Sequence, residues 1–392
     1  MKHRIVVLGA GYAGANAAGR LARRLHAADT EITLVNAEAG FVERVRMHQL
    51  ATGQDLEPRP LAEVFAGTGV QLRTARVTAV DVERRTVALD GGGELAYDTL
   101  VYALGSTAAL DGVPGVAEHA HHLAGRTAAL RLRERLAGLA AGGTVLVAGG
   151  GLTGIEAVTE IAEARPDLAV SLAARDGLGD WLSDKARSHL RRTLTRLGVT
   201  VHEGTAVAAV EPDRVVTTDG RAIPADVTVW TAGFAVHPIA AATALEVSPT
   251  GRIVVDDTMR SVSHADVYAV GDAAYAPGAH GTPLRMSCAS GVPSAHHAAD
   301  AIAARLTGRP LPPNKIGYTA QCISLGRHDA IVQWVTPDDR PKPSALTGRT
   351  AARLKEFICR SAAWSVRHPT SAAPTRRRHV VPAGEPAART TA

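Results

Sequence analysis

Gly9, Gly11 and Gly14 in IVVLGAGYAG (residues 5–14) and Gly149, Gly151 and Gly154 in LVAGGGLTGIE (146–156) share one spacing, G-x-G-x-x-G, directly after an apolar run. The spacing turns a strand sharply into a helix. Its middle glycine lets backbone approach a phosphate, and the helix N-terminus presents free N–H groups to the charge. A tight turn without a ligand accounts for the outer glycines but not for the middle one. Two pyrophosphates, each part of a dinucleotide, are the chemistry these residues suit.

The elements around the glycines are duplicated as well. Each turn is followed by a helical pattern and a second apolar strand, ITLV at 32–35 and VSLA at 170–173. Residues 69–106 and 198–234 then repeat a common layout: a Gly-Val start, two alternating strands, an Asp-Gly turn (Asp90-Gly91, Asp219-Gly220) and an apolar strand closed by Gly105 or Gly233. Asp-Gly between alternating runs signals a hairpin. A third element, HADVYAVGDAA at 264–274, ends a strand at Gly271-Asp272; an aspartate that merely caps the next helix is the bland alternative there.

With 46% apolar and 21% charged residues over 392 positions, the chain reads as globular and large enough for two or three domains. From Arg340 onward eleven lysines and arginines face two acids, so the net charge of +5 belongs to the tail. A nucleic-acid-binding body would carry its basic face on the folded domains, and that class is set aside. Cys288, Cys322 and Cys359 lie far apart with no C-x-x-C spacing, which suggests neither a disulfide framework nor a metal site and suits a reducing cytoplasm. The first twenty residues fit a strand and helix better than a signal peptide, and no apolar run is long enough to span a membrane.

VVLGAGYAG, YDTLVYALGS, VAGGGLTGIE, WTAGF and DVYAVGDAA, in that order, resemble the flavoproteins of the pyridine nucleotide-disulfide oxidoreductase superfamily over residues 1–310. The resemblance implies an α/β fold of two Rossmann-like dinucleotide-binding domains, the second inserted in the first, plus a small C-terminal domain. It divides the chain into an FAD-binding domain (1–110 and 245–310), an NAD(P)H-binding domain (111–244), a C-terminal domain (311–368) and a disordered tail (369–392). It places FAD on Gly9, Gly11, Gly14, Gly105, Gly271 and Asp272, with Asp272 on the ribityl chain and the Val77 backbone on the adenine. NADPH or NADH falls to Gly149, Gly151, Gly154 and Gly233.

Residues 41–54, FVERVRMHQLATGQ, contain no cysteine, which excludes the dithiol relay of the disulfide reductases. Gln49, Leu50, Ala51, Thr52 and Gly53 are similar to a stretch of type II NADH:quinone oxidoreductases, although VERVR departs from it. In that branch Glu156 matches an acid near the meeting point of nicotinamide and flavin; a plain helix-dipole role is its alternative. At the end of the second strand of the nucleotide module stand Ala174 and Arg175, with no acid, which favours NADPH or dual use. Asn36 and Glu38 occupy that place in the first module and are expected on the FAD ribose. Arg44, Arg46 and His48 are open between binding an acceptor, stabilising reduced flavin, and pairing with the pyrophosphate or Glu43. The segment 287–302 is expected to turn helical after Pro293.

Residues 346–368 place Leu354, Phe357, Ile358 and Trp364 on one side of a helix beside Arg349, Arg353, Arg360 and Arg367. Such a basic amphipathic helix docks on an anionic membrane surface (346–378 in all), on the protein itself, or on a homodimer partner. The expected activity is hydride transfer from NAD(P)H to FAD, then electron transfer to a quinone or other small acceptor, in the cytoplasm or peripherally at the inner face of the cell membrane. A ferredoxin-type reductase and a non-catalytic redox-responsive flavoprotein are the alternatives.

Overall fold

The computed structural model describes residues 1–278, 281–371 and 376–381. Two five-stranded parallel sheets dominate it. In the first, Val267–Ala269, Thr99–Tyr102, His3–Leu8, Thr30–Asn36 and Val70–Thr74 lie side by side. In the second the order is Thr200–His202, Ala169–Ala173, Thr144–Ala148, Val227–Trp230 and Ala120–His122. The central runs IVVL and VLVA are buried end to end, as parallel strands covered on both faces must be.

The two sheets are built in one register. Leu8 pairs with Val35 and Ala148 with Ala173, at the last residue before each glycine turn. Gly9 N then donates to Val35 O at 2.7 Å, and Gly149 N to Ala173 O at 2.9 Å. Beyond each core a three-stranded antiparallel sheet turns at its Asp-Gly pair, where Gly91 and Gly220 take the left-handed φ values of 77° and 82°. Val267–Ala269 returns to the first sheet after the whole second module.

The helix Tyr12–Arg24 is rich in alanine and glycine, which lets it pack closely on the helix Cys288–Leu306. That second helix starts at Cys288, five residues before the sequence suggests, and carries Pro293 inside. The proline cannot bond the carbonyl of Ala289, but Ala289 is exposed and solvent can serve it. A three-stranded antiparallel sheet, Ala320–Ser324, Ala330–Val335 and Pro341–Thr347, precedes the C-terminal helix Arg349–Arg367. The third strand takes up residues that the helical pattern from 346 had claimed.

The tail does not match its expected disorder throughout. Arg378 N donates to Arg24 O at 2.9 Å, His26 N to Arg378 O at 2.8 Å, and Val381 N to Leu306 O at 2.9 Å. Backbone pairing thus offsets a composition too polar to form a core of its own. Residues 372–375 and 382–392, the rest of that expected tail, lie outside the described residues.

Candidate active site

Each glycine turn forms a cradle. At Gly9, with φ of 92°, an added Cβ would lie 2.4 Å from Ala103 O, and at Gly14 it would lie 1.8 Å from Gly9 O. A Cβ at Gly11 would meet nothing within 4 Å. The outer glycines are therefore required by the fold, whereas the middle one borders open space at the start of Tyr12–Arg24, a helix with no side-chain cap. Gly149, Gly151 and Gly154 repeat the pattern: a Cβ at Gly154 would lie 1.8 Å from Gly149 O, none would meet an atom at Gly151, and the helix Leu152–Ala164 is likewise uncapped. Open space before unsatisfied helical N–H groups fits a pyrophosphate at both turns.

Gly105 and Gly233 stand at opposite ends of the crossing between the modules, because Ser106–Ala108 and Phe234–Val236, the strands that follow them, pair antiparallel, with Gly233 O accepting from Ala109 N at 3.3 Å. Asp272, next to Gly271, accepts a 2.6 Å hydrogen bond from Ser106 Oγ. Arg44 donates to Ser106 O. Burial lowers its pKa while Asp272 acts in the opposite sense. Arg44, Ser106 and Asp272 thus form one polar group beside the first cradle. Ser106 had no signal of its own in the sequence beyond following Gly105.

Asn36 is committed elsewhere than expected. Its Oδ1 accepts from Ala10 N at 2.9 Å and its Nδ2 donates to Glu38 O at 2.7 Å, so it braces the glycine turn and leaves Glu38, which is exposed, as the free acid. Ala75 N bonds Asn36 O at 2.9 Å, which brings Val77, buried at the start of its strand, to the same strand end. In the second module Ala174 replaces Asn36, and an added Cβ at Gly150 would come within 2.7 Å of the Ala174 Cβ. By the shared register Asp176, two residues past Ala174, holds the place in the second module that Glu38 holds in the first. Arg175 lies between Ala174 and this acid, and Arg175 and Asp176 pair at 3.4 Å with both side chains about four-fifths exposed.

Glu156 lies in the second turn of Leu152–Ala164 and caps nothing. Its Oε1 accepts from Ser324 N at 3.1 Å and from Lys355 Nζ, and its Oε2 lies 3.9 Å from His48 Nδ1. Lys355, 8% exposed on the C-terminal helix, also donates to Cys322 O at 3.3 Å. Burial pulls its pKa down to about 8, with Arg46 adding to the lowering and Cys359 and Glu356 opposing it. His48 is held down to about 3 by burial, then by Lys355 and Arg46, and is therefore neutral. Its Nε2 has no hydrogen-bond partner among the described residues. Three elements distant in the chain thus place a carboxylate, an ammonium and a neutral imidazole together. Lys355 had one sequence signal, as the sole lysine among the arginines of its helix.

Of the other cations, Arg46 pairs with Glu43 at 3.2 Å and Glu356 at 2.9 Å, which ties the segment before His48 to the C-terminal helix. The short helix Met47–Ala51 packs into the core of the second module through Met47, Leu50 and Ala51. The C-terminal helix buries Ala351, Lys355, Ala363 and Val366. Phe357, Ile358 and Trp364 remain 67%, 38% and 52% exposed, so the protein's own third sheet does not cover them. Burial pushes the thiol of Cys322 up to about 12 and raises that of Cys359, so neither is a thiolate near neutral pH.

Residues 3–301 match the family described as pyridine nucleotide-disulphide oxidoreductase. An NADH dehydrogenase-like protein of Mycobacterium tuberculosis is 32% identical over 355 residues, covering 84% of this chain and 87% of that one. A type II NADH:quinone oxidoreductase of Staphylococcus epidermidis is 27% identical, covering 91% and 94%. The sulfide:quinone oxidoreductase of Aquifex aeolicus superposes with a TM-score of 0.81 at 20% identity over 94% of this chain and 92% of its own, a likeness of fold. With both glycine cradles in place and the match running through three-quarters of its length, the chain belongs to the pyridine nucleotide-disulphide oxidoreductase family.

Proposed function

We propose that this chain is an FAD-dependent NAD(P)H oxidoreductase whose acceptor is a quinone, working in the cytoplasm at the inner face of an anionic membrane. Bound FAD would supply the redox chemistry, accepting a hydride from the nicotinamide and returning the electrons to the acceptor. All other tasks fall to the chain's residues. The observation that carries the reading is the pair of cradles, each with an open middle glycine ahead of an uncapped helix.

Gly9, Gly11 and Gly14 hold the FAD pyrophosphate, with Asp272 and Ser106 on the ribityl hydroxyls, Arg44 beside them, Glu38 on the ribose and the Val77 backbone near the adenine. Gly149, Gly151 and Gly154 hold the nicotinamide dinucleotide, and Gly105 and Gly233 line the crossing where the two meet. Asp176 suits a ribose 2′-OH and Arg175 a 2′-phosphate, so both NADH and NADPH are accepted. Two electrons delivered to a quinone require two protons. Glu156 and Lys355 form a buried pair between the nucleotide-binding helix and the C-terminal helix, and a lysine drawn toward neutrality releases its proton more readily than a surface lysine.

Quinone is favoured by the relatives of like length and by the exposed Phe357, Ile358 and Trp364. These lie among Arg353, Arg360 and Arg367, the pairing of apolar and basic residues that holds a helix in a lipid interface. The test is steady-state turnover of the FAD-loaded protein with NADH and with NADPH, comparing a soluble menaquinone analogue, a ferredoxin and oxygen. Quinone should be reduced fastest. A preference for ferredoxin would replace the acceptor, and no turnover with any of them would favour the non-catalytic alternative.

A further inference from the structure

At the opposite end of the first module, two histidines and an aspartate converge. His26 and Asp29 lie in the turn between Tyr12–Arg24 and Thr30–Asn36, and His379 arrives from the tail 350 positions away. One donor atom from each residue lies within 4.8 Å of the other two. His379 Nδ1 is 2.8 Å from Asp29 Oδ2, and the rings of His26 and His379 stack with centroids 4.1 Å apart. Backbone bonds hold the three donors in place: His26 N to Arg378 O, Arg378 N to Arg24 O, and Val380 N to Asp29 Oδ2 at 3.1 Å. No residue of the flavin or nucleotide cradles takes part.

We propose that His26, Asp29 and His379 bind a late first-row divalent cation of the zinc or nickel class, which staples the tail beyond the C-terminal helix to the flavin-binding module. The donor set sets the class: two imidazoles with one carboxylate suit zinc, nickel or cobalt, whereas magnesium and calcium take oxygen donors. Metal–ligand bonds of about 2.1 Å put donors at most about 4.2 Å apart, so the widest separation must close by roughly half an ångström, within reach of a side-chain rotation. Three protein donors leave remaining positions to water, because His379 stands at the surface, 69% exposed. An ion there would close a loop from residue 26 to residue 379, and so restrain the end of the helix that carries Lys355.

The experiment uses the full-length FAD-loaded protein with any affinity tag removed, dialysed against Zn²⁺ and then passed through gel filtration. Elemental analysis should find one zinc per chain, and His26→Ala, Asp29→Asn and His379→Ala should each lower occupancy at least tenfold with flavin absorbance unchanged. Zinc should also slow tryptic cleavage at Arg376 to Arg378 in the unsubstituted protein, roughly tenfold at a concentration ten times the dissociation constant, because cleavage requires the tail to open. No bound zinc in the unsubstituted protein, or occupancy that survives all three substitutions, would overturn the proposal. Quinone reductase activity plays no part in either readout, so this site stands or falls apart from the proposed function.

Discussion

Replacing Glu156 with glutamine keeps the shape of the side chain and removes its charge, leaving Lys355 buried with no carboxylate in contact. Burial holds that lysine at about 8 in place of its ordinary 10.5. A lysine held at about 8 is one unit from neutrality at pH 7, and at about 1.4 kcal/mol for each tenfold change in proton affinity it can shed a stranded charge by releasing its proton, so Glu156→Gln should cost roughly 1.5 kcal/mol there, less than breaking a buried pair whose charge cannot leave. The sign of the pH dependence follows. In the unsubstituted protein the folded lysine is at about 8 and the unfolded one near 10.5, so between these values the unfolded chain binds more protons and stability rises with pH; without the carboxylate the folded lysine falls lower still. The two proteins differ only while the lysine of the unsubstituted protein keeps its proton, so the deficit should be present at pH 7 and fade as pH rises through about 8. Lys355→Met added to Glu156→Gln removes the stranded charge and should recover most of the loss. Urea unfolding of the FAD-loaded proteins, followed by far-ultraviolet circular dichroism at pH 7 and pH 9.5, measures all three. Equal stability of Glu156→Gln and the unsubstituted protein at pH 7, or a double variant as unstable as the single one, would refute the pairing.

Gly11→Ala should leave the fold intact, because the new methyl meets no protein atom within 4 Å, yet weaken FAD binding about tenfold or more by overpacking the cradle; flavin content after purification, with circular dichroism as the fold control, decides it. Arg175→Ala should raise KM for NADPH about tenfold through the lost charge-assisted hydrogen bond and leave NADH nearly unchanged, with Asp176→Asn doing the reverse; equal effects on both nucleotides would remove these residues from the ribose. Phe357→Ser with Trp364→Ser should cut flotation with anionic liposomes more than tenfold, since each buried aromatic contributes roughly 2 kcal/mol, while turnover with a soluble quinone persists.

The duplicated modules are legible in the sequence because their signals are local: glycine spacing, alternating strands and Asp-Gly turns each act within a few residues. What eluded it depends on contacts that only the folded chain makes. Lys355 meets Glu156 across 199 positions, and nothing near either residue announces the other. Asp176 sits at the same two-residue offset past Ala174 as Glu38 past Asn36, but the intervening Arg175 offers a 2′-phosphate partner first. Asn36 has the chemistry for a ribose, but the backbone N–H of Ala10 claims it first. The segment at Arg378 reads as disordered by composition and is ordered by an edge of backbone that happens to be free at Arg24 and His26. Pro293 misplaces a helix start because the carbonyl it orphans has solvent to turn to.

Double-mixing stopped flow tests the central claim most directly. The FAD-loaded protein is mixed anaerobically with one equivalent of NADH or NADPH, then with a menaquinone analogue, while absorbance near 450 nm is followed. The account predicts that the nucleotide bleaches the flavin and that the quinone restores it, both faster than steady-state turnover. A flavin that neither nucleotide bleaches, or one that is bleached and then stays reduced in the presence of quinone, would contradict it.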